Sequence, residues 1–311
     1  MTLEEFVATG WSEHGEDAEG VFARMPEGVA LVTEPKHVGP LTGLLVHVAA
    51  EHLGKYDEGL ALLDRLEKRP VVKAGSEEAR AVARSKATLH LARGDRKSAD
   101  ALLARSAEGS RFPAASDRVR ALAVAGSALA AFGKAKEGAA LLEEALAAAS
   151  YGPTKDDPAA RALAVTGNNL AVEFETRATR TPAETEVMLK AAEVGRRWWG
   201  VVGTWAEVAQ ADYRLAMSHV AAGKAREALA HAQKALQGVE ANGNDPGAAF
   251  SPREALARAR LAGGDRAGAK RERDVAAALL PKISDADTRS YCEADLTSLD
   301  SALSGAGRAD P

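Results

Sequence analysis

The chain has 311 residues, 46% hydrophobic but only 5% aromatic, and its 40 Lys and Arg nearly balance 44 Asp and Glu for a formal charge of −4. Ala, Leu and Val must therefore build the core, a composition rich in helix formers and poor in strand formers, and no strong field of one sign is available to attract nucleic acid or an anionic membrane. The lone Cys292 excludes an intrachain disulfide and a cysteine-rich zinc site.

Residues 1–38 open with the acidic run Met1-Thr2-Leu3-Glu4-Glu5-Phe6, unlike a basic signal peptide. No apolar stretch approaches the roughly 20 residues that span a bilayer, so a soluble, cytoplasmic protein is expected. Pro26 and Pro35 break this segment, which predicts two short helices, 2–9 and 16–24, capping the helices beyond residue 38.

From residue 39 a glycine recurs, followed five positions later by a small residue: Gly54 with Gly59, Gly94 with Ala99, Gly133 with Gly138, Gly223 with Ala228, and Gly264 with Ala269. The glycine spacings are 40, 39, 90 and 41. Because 90 is twice 45, one degenerate unit falls between Gly133 and Gly223, giving about six units over 39–283 with turns near 54, 94, 133, 179, 223 and 264. A helix that reverses within two or three residues favours a left-handed C-terminal residue, which glycine supplies without a Cβ penalty. The small residue then lets the two helices of a pair approach.

The fourth unit is placed by its caps. Asp157-Pro158 starts a first helix running to about 177, and Thr181-Pro182-Ala183-Glu184 is a capping box opening the second. Further starts are expected at Thr204 with Glu207 and at Ser251-Pro252-Arg253-Glu254, after a loop from Asn242 to Ala249. Residues 285–303 form a closing amphipathic helix with Leu296, Leu299 and Leu303 facing the last unit, and 304–311 is a frayed tail.

The small residue in the first helix, the turn glycine, the aromatic of Gly54-Lys55-Tyr56 and the small residues of the second helix resemble the tetratricopeptide repeat. The period near 40, and Asn168-Asn169-Leu170-Ala171 in a first helix, resemble the longer kinesin-light-chain variety. The resemblance implies an all-α fold, a right-handed α-α superhelix (solenoid), whose first helices line a concave groove for a peptide or partner helix. It places Arg84, Thr88, Ser127, Asn168, Asn169, Tyr213, Arg214, Met217 and Arg258 on that face, where Asn can bind a peptide backbone and Arg a carboxylate; the other reading of the Asn pair is that it fastens neighbouring helices. If the groove reading holds, Asn168→Ala with Arg214→Ala abolishes partner capture and leaves melting unchanged. Arg197, Trp198, Trp199 and Trp205 concentrate three of four Trp, either as a partner hot spot or as filling for the longer unit, with burial expected for at least two.

Catalytic signatures fail in turn. Gly126 to Lys134 has the wrong interval for a phosphate loop and ends in Ala135, no Gly-x-Ser-x-Gly elbow occurs, and no two carboxylates are placed across a cleft. The His residues stand at 14, 37, 47, 52, 90, 219 and 231. Five residues apart, His47 and His52 belong on different faces of an α-helix, and His47 with Glu51 lacks a third ligand, so structural roles are expected, without metal or other cofactor. The expectation is a non-catalytic adaptor for another protein or peptide. A ligand-sensing regulatory domain and a homodimer are the alternatives, with neither nucleic acid nor membrane as partner.

Overall fold

The computed structural model describes residues 1–106, 110–243 and 245–305. Helices α1 (Leu3–Glu13), α2 (Ala18–Ala23) and α3 (Met25–Leu31) precede a 3₁₀ turn at Pro35–His37. Then come α4 (Val38–Val46), which continues as a π-helical segment His47–His52, α5 (Tyr56–Glu67), α6 (Glu77–Ala92), α7 (Arg96–Ser106), α8 (Ala114–Ala131) and α9 (Ala135–Ala148). The chain goes on through α10 (Pro158–Glu175), α11 (Pro182–Val202), α12 (Trp205–Ala221), α13 (Ala225–Glu240), α14 (Pro246–Ala262), α15 (Arg266–Ala277) and α16 (Ala286–Ser304). No strand occurs among the described residues. The fold is all-α, a tandem series of antiparallel helix pairs in two compact units, Met1–Thr166 and Gly167–Pro311.

In the first unit α4, α6 and α8 stack as first helices, backed by α5, α7 and α9, over fully buried Leu41, Leu44, Leu63 and Leu89. In the second, α12, α14 and α16 stack in the same way, with Phe174 and Phe250 fully buried. No helix of the described residues is long and apolar enough to cross a membrane.

All five turn glycines are left-handed, with φ between +64° and +88°. Close approach occurs where small residues face each other: a Cβ on Gly138 would meet the Gly126 carbonyl oxygen at 2.5 Å. The sixth turn, between α10 and α11, has no glycine. There the Arg180 guanidinium donates to the carbonyls of Phe174, Glu175 and Arg177 at 2.8–3.0 Å and to Ala221 at 3.2 Å. A side chain thus satisfies the carbonyls a left-handed cap would otherwise serve.

Four sequence expectations need correction. The N-terminal segment holds three helices rather than two, because Pro26 sits in the first turn of α3, where its missing N–H costs nothing. Ser251-Pro252 does not start a helix: Asp245 caps α14 through the Ala248 amide at 3.0 Å, and Pro252 lies buried inside. The expected loop 242–249 thus ends at Asp245, and its Asn244 lies outside the described residues. His47 and His52 share a face, since the π segment adds about one residue to the turn and brings i and i+5 together. Their ring centroids are 4.8 Å apart. The closing helix matches its expectation, with Asp285 as cap and Leu296 and Leu299 buried and Leu303 half-buried; Cys292 is buried beside Phe250, and burial pushes its thiol up to about 11. Of the expected tail, residues from 306 on lie outside the described residues.

Candidate functional site

The polar residues of the first helices form a ladder from one helix to the next. In the first unit, Arg84 on α6 pairs with Asp117 on α8 at 2.7 Å. Thr88 turns its hydroxyl back to the Arg84 carbonyl at 3.1 Å, and Ser127 on α8 donates to Glu51 at 2.8 Å.

In the second unit, Arg214 and Ser218 on α12 both bond Glu175 at the end of α10, the Tyr213 hydroxyl donates to Glu254 on α14 at 3.1 Å, and Arg258 bonds Glu254. Arg258 also reaches the Asp295 carbonyl and the Ser298 hydroxyl on α16, each at 3.3 Å. Burial pushes the Glu175 and Glu254 carboxyls above their ordinary range, so these rungs are internal. Met217 packs on the core around Tyr213 and Leu256. Asn169 is exposed, and Asn168 is half-buried with an Oδ1 that has no hydrogen-bond partner among the described residues.

Of the aromatic cluster, Trp198 and Trp199 are buried, with Arg197 over the Trp198 ring at 5.2 Å. Trp205 is 39% exposed and lines a hollow of about 330 Å³ with Ala209, Val239, Ala248 and Pro252. The burial expected for two of the Trp is met, and of these three Trp it is Trp205 that is exposed.

Beside the cluster, Asp212 is buried and receives Arg196 at 2.6 Å and His231 at 3.1 Å, while His219 stacks on His231 at 5.5 Å between centroids. Burial first, then the neighbouring His231 and Lys224, hold His219 below its ordinary 6.5 despite Glu227. The unfolded chain therefore takes up a proton that the folded chain refuses until lower pH. Stability is intact above 6.5 and declines as pH falls below it. His219→Gln is expected to flatten that decline in urea midpoints recorded between about pH 8 and pH 5; an unchanged slope would contradict it.

The first unit has a cleft of about 510 Å³ flanked by α6 and α8. Lys36, Arg80, Arg84, Arg111 and Arg120 line it against Glu77, Glu78 and Asp117. Asp117 alone serves two guanidinium groups, Arg84 at 2.7 Å and Arg120 at 3.3 Å. Burial first, then the charge of Arg84, push Arg120 down to about 10 against the opposing pull of Asp117 and Asp157. Arg80 bonds only the Gly75 carbonyl and Arg111 lies over the Phe112 ring at 4.6 Å, so neither has a carboxylate partner among the described residues. Below them, Asp157 accepts from Ser116 and Tyr151, each at 2.6 Å, and fixes the start of α10 through the Ala159 amide at 2.9 Å.

No protein-family model matches the chain, and no curated protein matches it. Among solved structures it is similar to the crystal structure of BtubC (BKLC) from P. vanneervenii, at a TM-score of 0.43 and 15% identity, over 83% of this chain and 92% of that one.

The sequence singled out Arg84, as a residue of an expected concave face, but not Arg80, Arg111, Arg120 or Asp117. A usable signal was the period itself, since Arg84 and Asp117 stand 33 residues apart, Arg214 and Glu175 39, and Tyr213 and Glu254 41. Partners lie close to one repeat away. Chemically, the cleft presents fixed guanidinium groups and half-buried apolar edges, suited to gripping carboxylates rather than to proton transfer.

Proposed function

We propose that the chain is a non-catalytic interaction scaffold of the tetratricopeptide kind, which holds an acidic segment of another protein in the cleft flanked by α6 and α8. The observation that carries this reading is the surplus of cations: among the described residues Arg80 and Arg111 lack a carboxylate, and Arg84 and Arg120 share one. Arg is the side chain that binds carboxylates bidentately while laying its flat face on apolar surface. The tandem helix pairs support the scaffold part, since such arrays offer long faces and few enclosed pockets.

The test is fluorescence anisotropy of a labelled Asp- and Glu-rich peptide against its Lys-rich counterpart. The acidic peptide binds, more weakly as salt rises. Arg80→Glu with Arg111→Glu, both at positions without an ion pair among the described residues, lowers affinity at least about tenfold, ~1.4 kcal/mol. Equal binding by the folded double variant sinks the proposal.

A further inference from the structure

The histidines expected to be scattered are gathered. His14, just past the end of α1, and His47 and His52, on the π segment after α4, place their ring centroids 4.8, 4.9 and 5.0 Å apart, with interplanar angles of 66° to 82°. One ligand atom from each lies within 4.8 Å of the others. His47 Nε2 and His52 Nε2 are 3.1 Å apart, close to the ~3.3 Å between two nitrogens bound to one tetrahedral ion at ~2.0–2.1 Å each.

The surroundings prepare these nitrogens. His47 Nδ1 donates to Glu51 Oε1 at 3.0 Å, and the other oxygen of Glu51 accepts from Ser127 at 2.8 Å. His14 Nδ1 donates to the Trp11 carbonyl at 2.8 Å. In both rings the proton is thereby held on Nδ1 and the lone pair left on Nε2, the arrangement by which outer carboxylates and carbonyls orient metal-binding histidines. Trp11 covers one side, 5.0 Å from His47 and 5.3 Å from His14. His52 is exposed, leaving one side of the triangle open to water.

We infer that His14, His47 and His52 form a three-histidine site for a divalent transition metal ion of the zinc, cobalt or nickel class, with water as the fourth ligand and Glu51 and Ser127 as its outer shell. Imidazole nitrogens select this class over Mg²⁺ and Ca²⁺, which take oxygen ligands. Without metal, His52 donates its Nε2 proton to His47; on binding, that proton moves to Nδ1 of His52 and all three Nε2 lone pairs face the ion. Coordination needs all three rings neutral. The ion would pin α1 to the first hairpin.

Tag-free full-length protein titrated with ZnCl₂ by calorimetry tests this. One equivalent is expected to bind, to raise the melting temperature, and to weaken in acid as protons compete for the imidazoles. Cobalt in its place gives the visible absorption of a four-coordinate ion. His14→Asn and His52→Asn, with folding checked by circular dichroism, each lower affinity at least about 100-fold, and Glu51→Gln lowers it about 10- to 100-fold. The other histidines remain in every variant as internal controls. Absence of saturable binding at one equivalent, or wild-type affinity in His52→Asn and His14→Asn, overturns the assignment.

Discussion

Gly167→Ala is expected to destabilise the second unit by about 2–3 kcal/mol, although alanine is the better helix former by about 1 kcal/mol. A Cβ at this position would sit 2.4 Å from the Gly195 nitrogen, 2.7 Å from the Ala191 oxygen and 2.8 Å from the Gly195 Cα. All three are backbone atoms of α11, so no rotamer change can make room. α10 and α11 must move apart by several tenths of an ångström, loosening the packing along their crossing. Urea unfolding with a valine at the same site should show a larger loss than alanine. A neutral alanine would mean that the crossing is looser than the structure shows.

Arg214→Ala should cost about 3 kcal/mol, because it leaves the Glu175 carboxylate in a site where only Ser218 still bonds it. The Arg214 and Glu175 side chains are 21% and 10% exposed, which places the pair well away from bulk water. Glu175 is already raised by burial, and Arg214 is the largest influence opposing that rise. In the variant the folded carboxyl binds a proton more readily than the unfolded one. The deficit relative to wild type is therefore greatest at neutral pH and shrinks as pH falls toward 4.5. Arg214→Ala with Glu175→Leu should recover most of the loss; if it does not, the pair is not what holds this rung. The expectation that Arg214 could be removed without a change in melting is thus replaced. The residue read as a free groove contact is fastened to a neighbouring helix, whereas Asn168 on α10 keeps a carbonyl oxygen without a hydrogen-bond partner among the described residues.

Turn and cap positions were legible because each depends on its own few residues. A left-handed φ calls for glycine at Gly54 or Gly223, and Thr181 with Glu184 closes a capping box whatever else the chain does. Ser251-Pro252 misled because a proline can lie inside a helix as well as at its start, and the buried Phe250 two residues earlier decides the matter by packing. The π segment was invisible for a related reason. The sequence His47 to His52 is compatible with an ordinary α-helix, and one added residue in the turn converts two faces into one. At the cleft, Asp117 and Arg120 stand three apart on α8, but Arg84 on α6 reaches Asp117 only after helices about one repeat apart have stacked, which the residue types alone do not reveal.

The turn without a glycine has a consequence for cooperativity. Glycine turns close locally and say nothing to the next helix pair. Arg180 instead spans from the end of α10 to the Ala221 carbonyl at the end of α12, so one side chain belongs to two successive hairpins. In a linear array, where each repeat feels only its neighbours, such a shared fastening strengthens the coupling between one pair of adjacent repeats. Opening either end forfeits bonds at both, so the fourth and fifth hairpins are fastened at their turns as well as through the Arg214–Glu175 rung, and are expected to open together.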